Sequence, residues 1–254
     1  MIRLLAENAN AFVPLGPGEE LVETDRFVLW LGRSDGPTDT VAQRFRMRTD
    51  EVDATVEEVR AIVRERGRSV STWEVADSAA PPGLVERLER LGILPFPAEP
   101  VVVGMVLTEE PPPPPPGVVA RRVETLDEYM TAHRIAFEVF GMPEEQREAA
   151  LARAGNVYGQ SPSAGYLAFV DGEPVGTATA RFTDAAAVLY AGSVLPHARG
   201  RGAYRALVRA RWDDAVARGA PALVTHAGAM SLPILRRLGF RDVATVRILL
   251  DEAR

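Results

Sequence analysis

Cysteine and lysine are both missing from the 254 residues, and all 29 basic residues are arginine. Without cysteine there is no disulfide, no thiolate metal site and no acyl-cysteine intermediate. Without lysine there is no Schiff-base chemistry and no lysine of a Walker phosphate loop. Histidine occurs three times, at His133, His197 and His226, and no metal site is expected. No apolar run approaches the ~18 residues of a membrane span, and the N-terminus lacks a basic-then-apolar secretory layout. A soluble, cytoplasmic protein with no membrane partner is therefore expected. The net charge of −6 argues against nucleic acid as a partner, because binding phosphate backbones normally requires a basic face.

The 46% hydrophobic content suffices for one large or two modest packed cores. The prolines at 111–116, closed by Gly117, favour a semi-rigid polyproline spacer. They divide the chain into 1–110, a linker at 111–117, and 118–254. A ligand for a proline-binding domain is the alternative role of this run. Beyond it, periodicity predicts helices at 123–140 and 143–154, and a hairpin of strands 166–170 and 174–182 around Asp171-Gly172. A strand at 188–195, a helix at 203–218, a strand at 223–226, a helix at 231–238 and a strand at 243–250 follow. Before the prolines the pattern predicts strands at 27–31 and 44–47, a helix at 51–66, a strand at 69–76, a helix at 82–91 and a strand at 101–107. The fold class is mixed α/β.

The stretch from Ser193 to Arg209, SVLPHARGRGAYRALVR, carries the chemistry. An apolar strand ends at Val194-Leu195-Pro196 and is followed by a turn containing Gly200 and Gly202, which permit backbone conformations that a side chain would block. The helix begins near Gly202, so its first N–H groups and the positive end of its dipole favour an anion. Arg199 and Arg201 can add charge-assisted hydrogen bonds to phosphate oxygens. An ordinary strand-to-helix turn with exposed arginines is the alternative reading.

Arg199-Gly200-Arg201-Gly202-Ala203 resembles the acyl-CoA-binding motif of GNAT-type N-acetyltransferases, with Tyr204 standing where Gly or Ala is usual. Leu235-Arg236-Arg237-Leu238-Gly239-Phe240 resembles the Leu-Gly-Phe close of that family's last helix. The resemblance covers 118–254 and implies the acyl-CoA N-acyltransferase fold. It also implies acetyl-CoA, or another short acyl-CoA, as cofactor, and direct attack by a primary amine of a small molecule or peptide within a ternary complex. It assigns the pantetheine arm to the backbone of Ser193, Val194 and Leu195, and the pyrophosphate to Arg199, Gly200, Arg201, Gly202, Ala203 and Tyr204. A bulky residue at Gly202 is expected to invade the pyrophosphate space.

The general acid of the family, a tyrosine just before the Leu-Gly-Phe close, is replaced here by Leu235, and strand 188–195 carries no carboxylate. His226 and Tyr190 are the remaining candidates for proton transfer, each with a structural role as the alternative. His133 and Glu138 on the first helix are candidates for contacting the acceptor, and His197 for contacting cofactor or solvent. A catalytically weak acyl-CoA-binding or regulatory module is the competing function. Leu88-Glu89-Arg90-Leu91-Gly92-Ile93 echoes the second motif and marks 1–110 as a degenerate second module. Arg48-Thr49-Asp50 occupies the place of its glycine turn, so this module is not expected to bind the cofactor. The oligomeric state is left open.

Overall fold

A computed structural model describes residues 1–252. In chain order its first part comprises α1 (Ile2–Glu7), β1 (Glu20–Glu23), β2 (Val28–Leu31), β3 (Thr40–Gln43), α2 (Val52–Glu65), β4 (Val70–Ala76), α3 (Leu84–Arg90), β5 (Leu94–Pro95) and β6 (Val101–Leu107). The rest comprises β7 (Val118–Arg122), α4 (Leu126–Val139), α5 (Glu144–Asn156), β8 (Ala164–Val170), β9 (Glu173–Phe182), β10 (Ala187–Val194), α6 (Ala203–Ala217), β11 (Leu223–Ala227), α7 (Leu232–Arg237) and β12 (Arg241–Glu252). Two compact units result. The first contains Met1–Val106, His226–Leu235 and the residues from Arg241 onward, and the second contains Leu107–Thr225 and Arg236–Phe240.

In the first unit the strand order is β1-β2-β3-β4-β12-β6, with β5 paired to β12. Only β3 and β4 run parallel. The crossover between them is α2, whose Val52, Val56, Val59 and Val63 recur at helical spacing and are all buried. They pack with Phe27, Leu29, Trp73, Leu84 and Leu88 into the main core, each such burial contributing about 1.5 kcal/mol. The expected strand at 44–47 does not form. Arg44 adopts φ 56, which ends β3 at Gln43, and its N–H is taken by Asn8 Oδ1 at 2.8 Å.

The neighbour of β4 is β12, the last strand of the chain, rather than β6, which follows α3. Pairing runs from Val246↔Ala76 to Glu252↔Val70. Division at the prolines follows chain continuity, whereas the units follow strand pairing. Arg60 on α2 locks this insertion, donating from Nε and Nη2 to the two carboxylate oxygens of Asp251 at 2.9 Å each. The Asp251 side chain is 2% exposed.

The second unit has the order β11-β10-β9-β8-β7, in which only β10 and β11 are parallel and α6 is their crossover. Each unit is thus built on one parallel strand–helix–strand element, β3-α2-β4 in the first and β10-α6-β11 in the second. The Asp171-Gly172 hairpin forms between β8 and β9 with φ of 53 and 89 at the two positions, as a type I′ turn requires. The helix expected from 123 begins at Leu126, because Val123 N–H still bonds Gly165 O at 2.9 Å and prolongs the sheet. Thr125 Oγ1 then caps α4 by accepting Glu128 N–H at 3.2 Å. No described helix is long and apolar enough to cross a membrane.

Two stability measurements follow from these contacts. Asp251→Ala removes the buried partner of Arg60 and leaves it the exposed Glu57 carboxylate, and urea denaturation should show a loss of about 2 kcal/mol. The hydrogen bond from Arg121, aided by the N–H of Glu124, depresses the Glu128 carboxyl from 4.5 to about 2. A depressed carboxylate stabilises the fold fully above its unfolded pKa, and this contribution is lost as pH falls through the folded value. The acid limb of the stability profile between pH 4.5 and about 2 should therefore flatten in Glu128→Gln.

Candidate functional site

The site in the second unit begins with two parallel strands that part. β10 and β11 pair only at Ala187↔Leu223 and Val188↔Val224. Beyond this, β10 bulges between Tyr190 and Ser193 where it faces β9. Ala191 takes φ 49 there, and Ala191 and Gly192 are exposed between half-buried Tyr190 and buried Ser193. The bulge leaves backbone accessible on an inner strand, where an extended ligand can pair with it. Leu195 N–H is committed to β9 through Val175 O at 2.8 Å. Alternation along the strand therefore turns Val194, not Leu195 or Ser193, toward the open edge. Ser193 Oγ is buried with no hydrogen-bond partner. An open edge beside an unsatisfied hydroxyl fits an amide-bearing arm such as pantetheine.

A short 3-10 turn, Pro196–Ala198, then leads into the glycine loop. Gly202 is the N-cap of α6 with φ 96, contributes no capping side chain, and is followed by a first turn without an acidic residue. The first intrahelical bond is Ala206 N–H to Gly202 O at 3.0 Å, so the N–H groups of Ala203, Tyr204 and Arg205 precede it and fit an anion. Arg199 and Gly200 are exposed. Arg199 Nε donates to Val194 O at 3.3 Å, and Arg201 pairs with Asp171 at 2.6 Å. Tyr204 packs its ring on Gly192, where an added Cβ would lie 2.9 Å from it. The replacement of a small residue by Tyr204 is thereby absorbed by the bulge.

Gly202 also faces the proline run. A Cβ built there would lie 2.5 Å from Pro115, so the missing side chain makes room for the proline run. That run is docked along α6. Glu110 pairs with Arg209 at 2.6 Å, Pro113 O accepts from Arg205 Nη1 at 3.4 Å, and Pro115 sits on Gly202.

The corresponding helix start in the first unit is chemically opposite. The short 3-10 turn Thr49–Glu51 precedes α2, and Glu51 accepts Arg48 N–H at 2.8 Å in a capping box. Asp50, Glu51 and Asp53 crowd this N-terminus. Carboxylates occupy the position a phosphate would need and repel it.

The proton-transfer and acceptor candidates are dispersed. His226, on the part of β11 that belongs to the first unit, has Nε2 3.0 Å from Ala6 O. A carbonyl only accepts, so Nε2 carries the hydrogen and Nδ1 is the proton-accepting nitrogen of the neutral ring. Tyr190 is half-buried at the bulge. Leu235 is 1% exposed, an apolar core residue. His197 is exposed. His133 lies between Tyr129 and Phe137, with ring centroids 4.5 and 5.5 Å away, and burial lowers its pKa. Glu138, by contrast, lines an open groove of about 480 Å³ between α4 and α5 with Glu144, Glu145, Glu148, Arg134 and Arg147.

A buried network missed in the sequence lies under α6. Arg211, 1% exposed, donates from Nε to Leu207 O at 2.9 Å and from Nη1 to Thr179 O at 3.4 Å. Tyr166 donates its hydroxyl to Asp214 at 2.6 Å. Burial, followed by the Asp214 contact, raises the Tyr166 pKa. An arginine at an apolar position of an amphipathic helix was the available signal.

Residues 123–240 match the acetyltransferase (GNAT) family. A GCN5-related N-acetyltransferase from Kribbella flavida is similar in structure, with a TM-score of 0.70 at 20% identity over 92% of this chain and 89% of that one. A tandem GNAT protein from the clavulanic acid biosynthesis pathway has a TM-score of 0.63 at 18% identity over 100% and 88%. A GCN5-related N-acetyltransferase from Sphaerobacter thermophilus has a TM-score of 0.63 at 19% identity over 93% and 84%. No curated protein matches in sequence.

The two loop glycines are expected to respond differently to substitution. Gly200→Ala meets open space and only the strain of φ 78, a cost of about 1 kcal/mol. Gly202→Ala meets comparable strain and must also displace Pro115, raising the cost to about 2 to 3 kcal/mol. Equal urea midpoints for the two variants would remove the proline contact from the account.

Proposed function

We propose that this chain, whose residues 123–240 belong to the acetyltransferase (GNAT) family, transfers an acetyl or other short acyl group to the primary amine of a small molecule or peptide. The observation that carries the reading is the open, bulged edge of β10 running directly into an uncapped helix start. One feature fits an extended pantetheine arm and the other a pyrophosphate. Bound acetyl-CoA would supply the thioester that the amine attacks directly, with CoA leaving as the thiol.

The chain's own contribution is mostly positional. The backbone of Val194 aligns the arm, the N–H groups of Ala203, Tyr204 and Arg205 hold phosphate oxygens, and Arg199 and Arg201 add charge. Fixing both reactants in this way can supply a large share of the rate. His226, its tautomer set by Ala6 O, is assigned to accept the proton that the acceptor's ammonium group must lose before the amine attacks, and Tyr190 to donate one to the departing thiolate. His133 and Glu138 are assigned to the acceptor side, supported for Glu138 by the acidic groove it lines, which suits a cation. The 1–110 segment is read as a degenerate module and 118–254 as the transferase module, with the reaction in the cytoplasm, where acyl-CoA is made.

The buried Leu235 favours the second reading, a weakly catalytic acyl-CoA-binding module. Calorimetric titration with acetyl-CoA, followed by thiol release across a panel of amines and peptides, separates the two. Binding with turnover is expected. Because the chain has no lysine, thiol release without added amine cannot come from acetylation of its own lysines. His226→Ala should lower turnover by about a hundredfold and leave acetyl-CoA affinity unchanged. Wild-type turnover in that variant would dismiss the assignment.

A further inference from the structure

The hydroxyl of Tyr204 stands at the bulge of β10 and has no part in the reaction above, which uses only the N–H of that residue. Its place beneath the strand is fixed by two close contacts. A Cβ on Gly176 would meet Val194 Cγ2 at 3.2 Å and Leu207 Cδ1 at 3.4 Å, so the side chain of Val194 turns toward α6. A Cβ on Gly192 would meet the ring of Tyr204 at 2.9 Å and its hydroxyl oxygen at 3.5 Å. Tyr204 therefore lies under the same face of β10, past Val194 in the direction away from the glycine loop. Tyr204 is half-buried and Gly192 is exposed, so the contact borders open space rather than the packed core.

Arg211 lies two turns further along α6 and is 1% exposed. Its hydrogen bonds go to two carbonyls, Leu207 O and Thr179 O. Nη2 is buried with no hydrogen-bond partner, and the Tyr204 oxygen is near enough to stabilise the guanidinium without a formed bond to Nη2. A guanidinium has only hydrogens to offer. The Tyr204 oxygen thus faces the cation with a lone pair, and the hydroxyl hydrogen is left to point toward the bulge. A buried cation paired with carbonyls rather than a carboxylate also favours negative charge that develops close by.

We propose that the Tyr204 hydroxyl donates a hydrogen bond to the carbonyl oxygen of the bound thioester, with Arg211 as the positioning residue that orients it. This rests on the transfer reading. An arm seated on Val194 and running away from the start of α6 brings its thioester end to the bulge. As the amine nitrogen bonds to the carbonyl carbon, one electron pair of the C=O bond moves onto the oxygen, and the hydroxyl holds that charge without giving up its proton. When the carbonyl re-forms, the C–S pair leaves with sulfur, which takes its proton from Tyr190. A donor already in place when the charge appears costs no reorganisation.

Calorimetry on the full chain without any amine reads this contact through binding alone. Acetyl-CoA is compared with S-ethyl-CoA, a thioether of the same length in which a methylene replaces the carbonyl. Tyr204→Phe keeps the ring on Gly192 and removes only the hydroxyl. Its affinity for acetyl-CoA should fall about fivefold, while its affinity for S-ethyl-CoA stays that of the wild type. Arg211→Gln should lower the preference for acetyl-CoA in the same direction, which a loss of packing that weakens both ligands equally does not do. An unchanged preference in Arg211→Gln removes its orienting role, and Tyr204→Phe decides the proposal even where Arg211→Gln fails to fold. An unchanged preference in Tyr204→Phe, or an equal loss for both ligands, overturns the proposal and leaves the transfer reading standing. Failure of the wild-type chain to bind either ligand overturns both.

Discussion

Past Val188 the backbone of β10 has no parallel neighbour among its strand pairs, and the second unit is organised around that exposed edge. Interior backbone groups must be paired by strand, side chain, water or ligand. The bulge at Ala191 and Gly192, the ring of Tyr204 on Gly192 and the buried Arg211 reaching Thr179 O all surround the point where regular pairing stops. The cost of this irregular strand is met locally by side chains, and the remaining open groups are those that an extended ligand can take.

The two helix starts show how small a chemical change separates a helix end open to an anion from one closed to it. Both helices follow the first strand of a parallel pair and have orphan N–H groups. At α6 a glycine cap leaves those groups to a ligand, whereas at α2 the loop satisfies itself with Glu51 and surrounds the helix end with carboxylates. The latter is better capped and for that reason cannot serve the same purpose. The first unit has the same strand–helix–strand scaffold with an acidic helix start.

The prolines are likewise more than a spacer. Six consecutive prolines at 111–116 form an extended rod with few conformations to lose, and three contacts seat the segment on α6 between Arg209 and Gly202. A rigid strap costs little entropy to dock, and it ends on Gly202, the residue that opens α6.

Local pattern determined most of this protein by itself. Valines at helical spacing specify α2, Asp171-Gly172 specifies its hairpin, and the loop from Arg199 to Ala203 specifies a helix start suited to an anion, because each depends on residues close in sequence. The same holds for the negative conclusions drawn from missing cysteine and lysine. The tertiary structure alone decided which strand stands beside β4. Nothing local distinguishes β12 from β6 as its partner, and the choice rests on long-range pairing and the contact of Arg60 with Asp251. It also decided that Arg44 turns the chain where a strand was expected and that Gly202 makes room for Pro115. Those outcomes depend on which distant segments meet, and a one-dimensional pattern carries no distances between them.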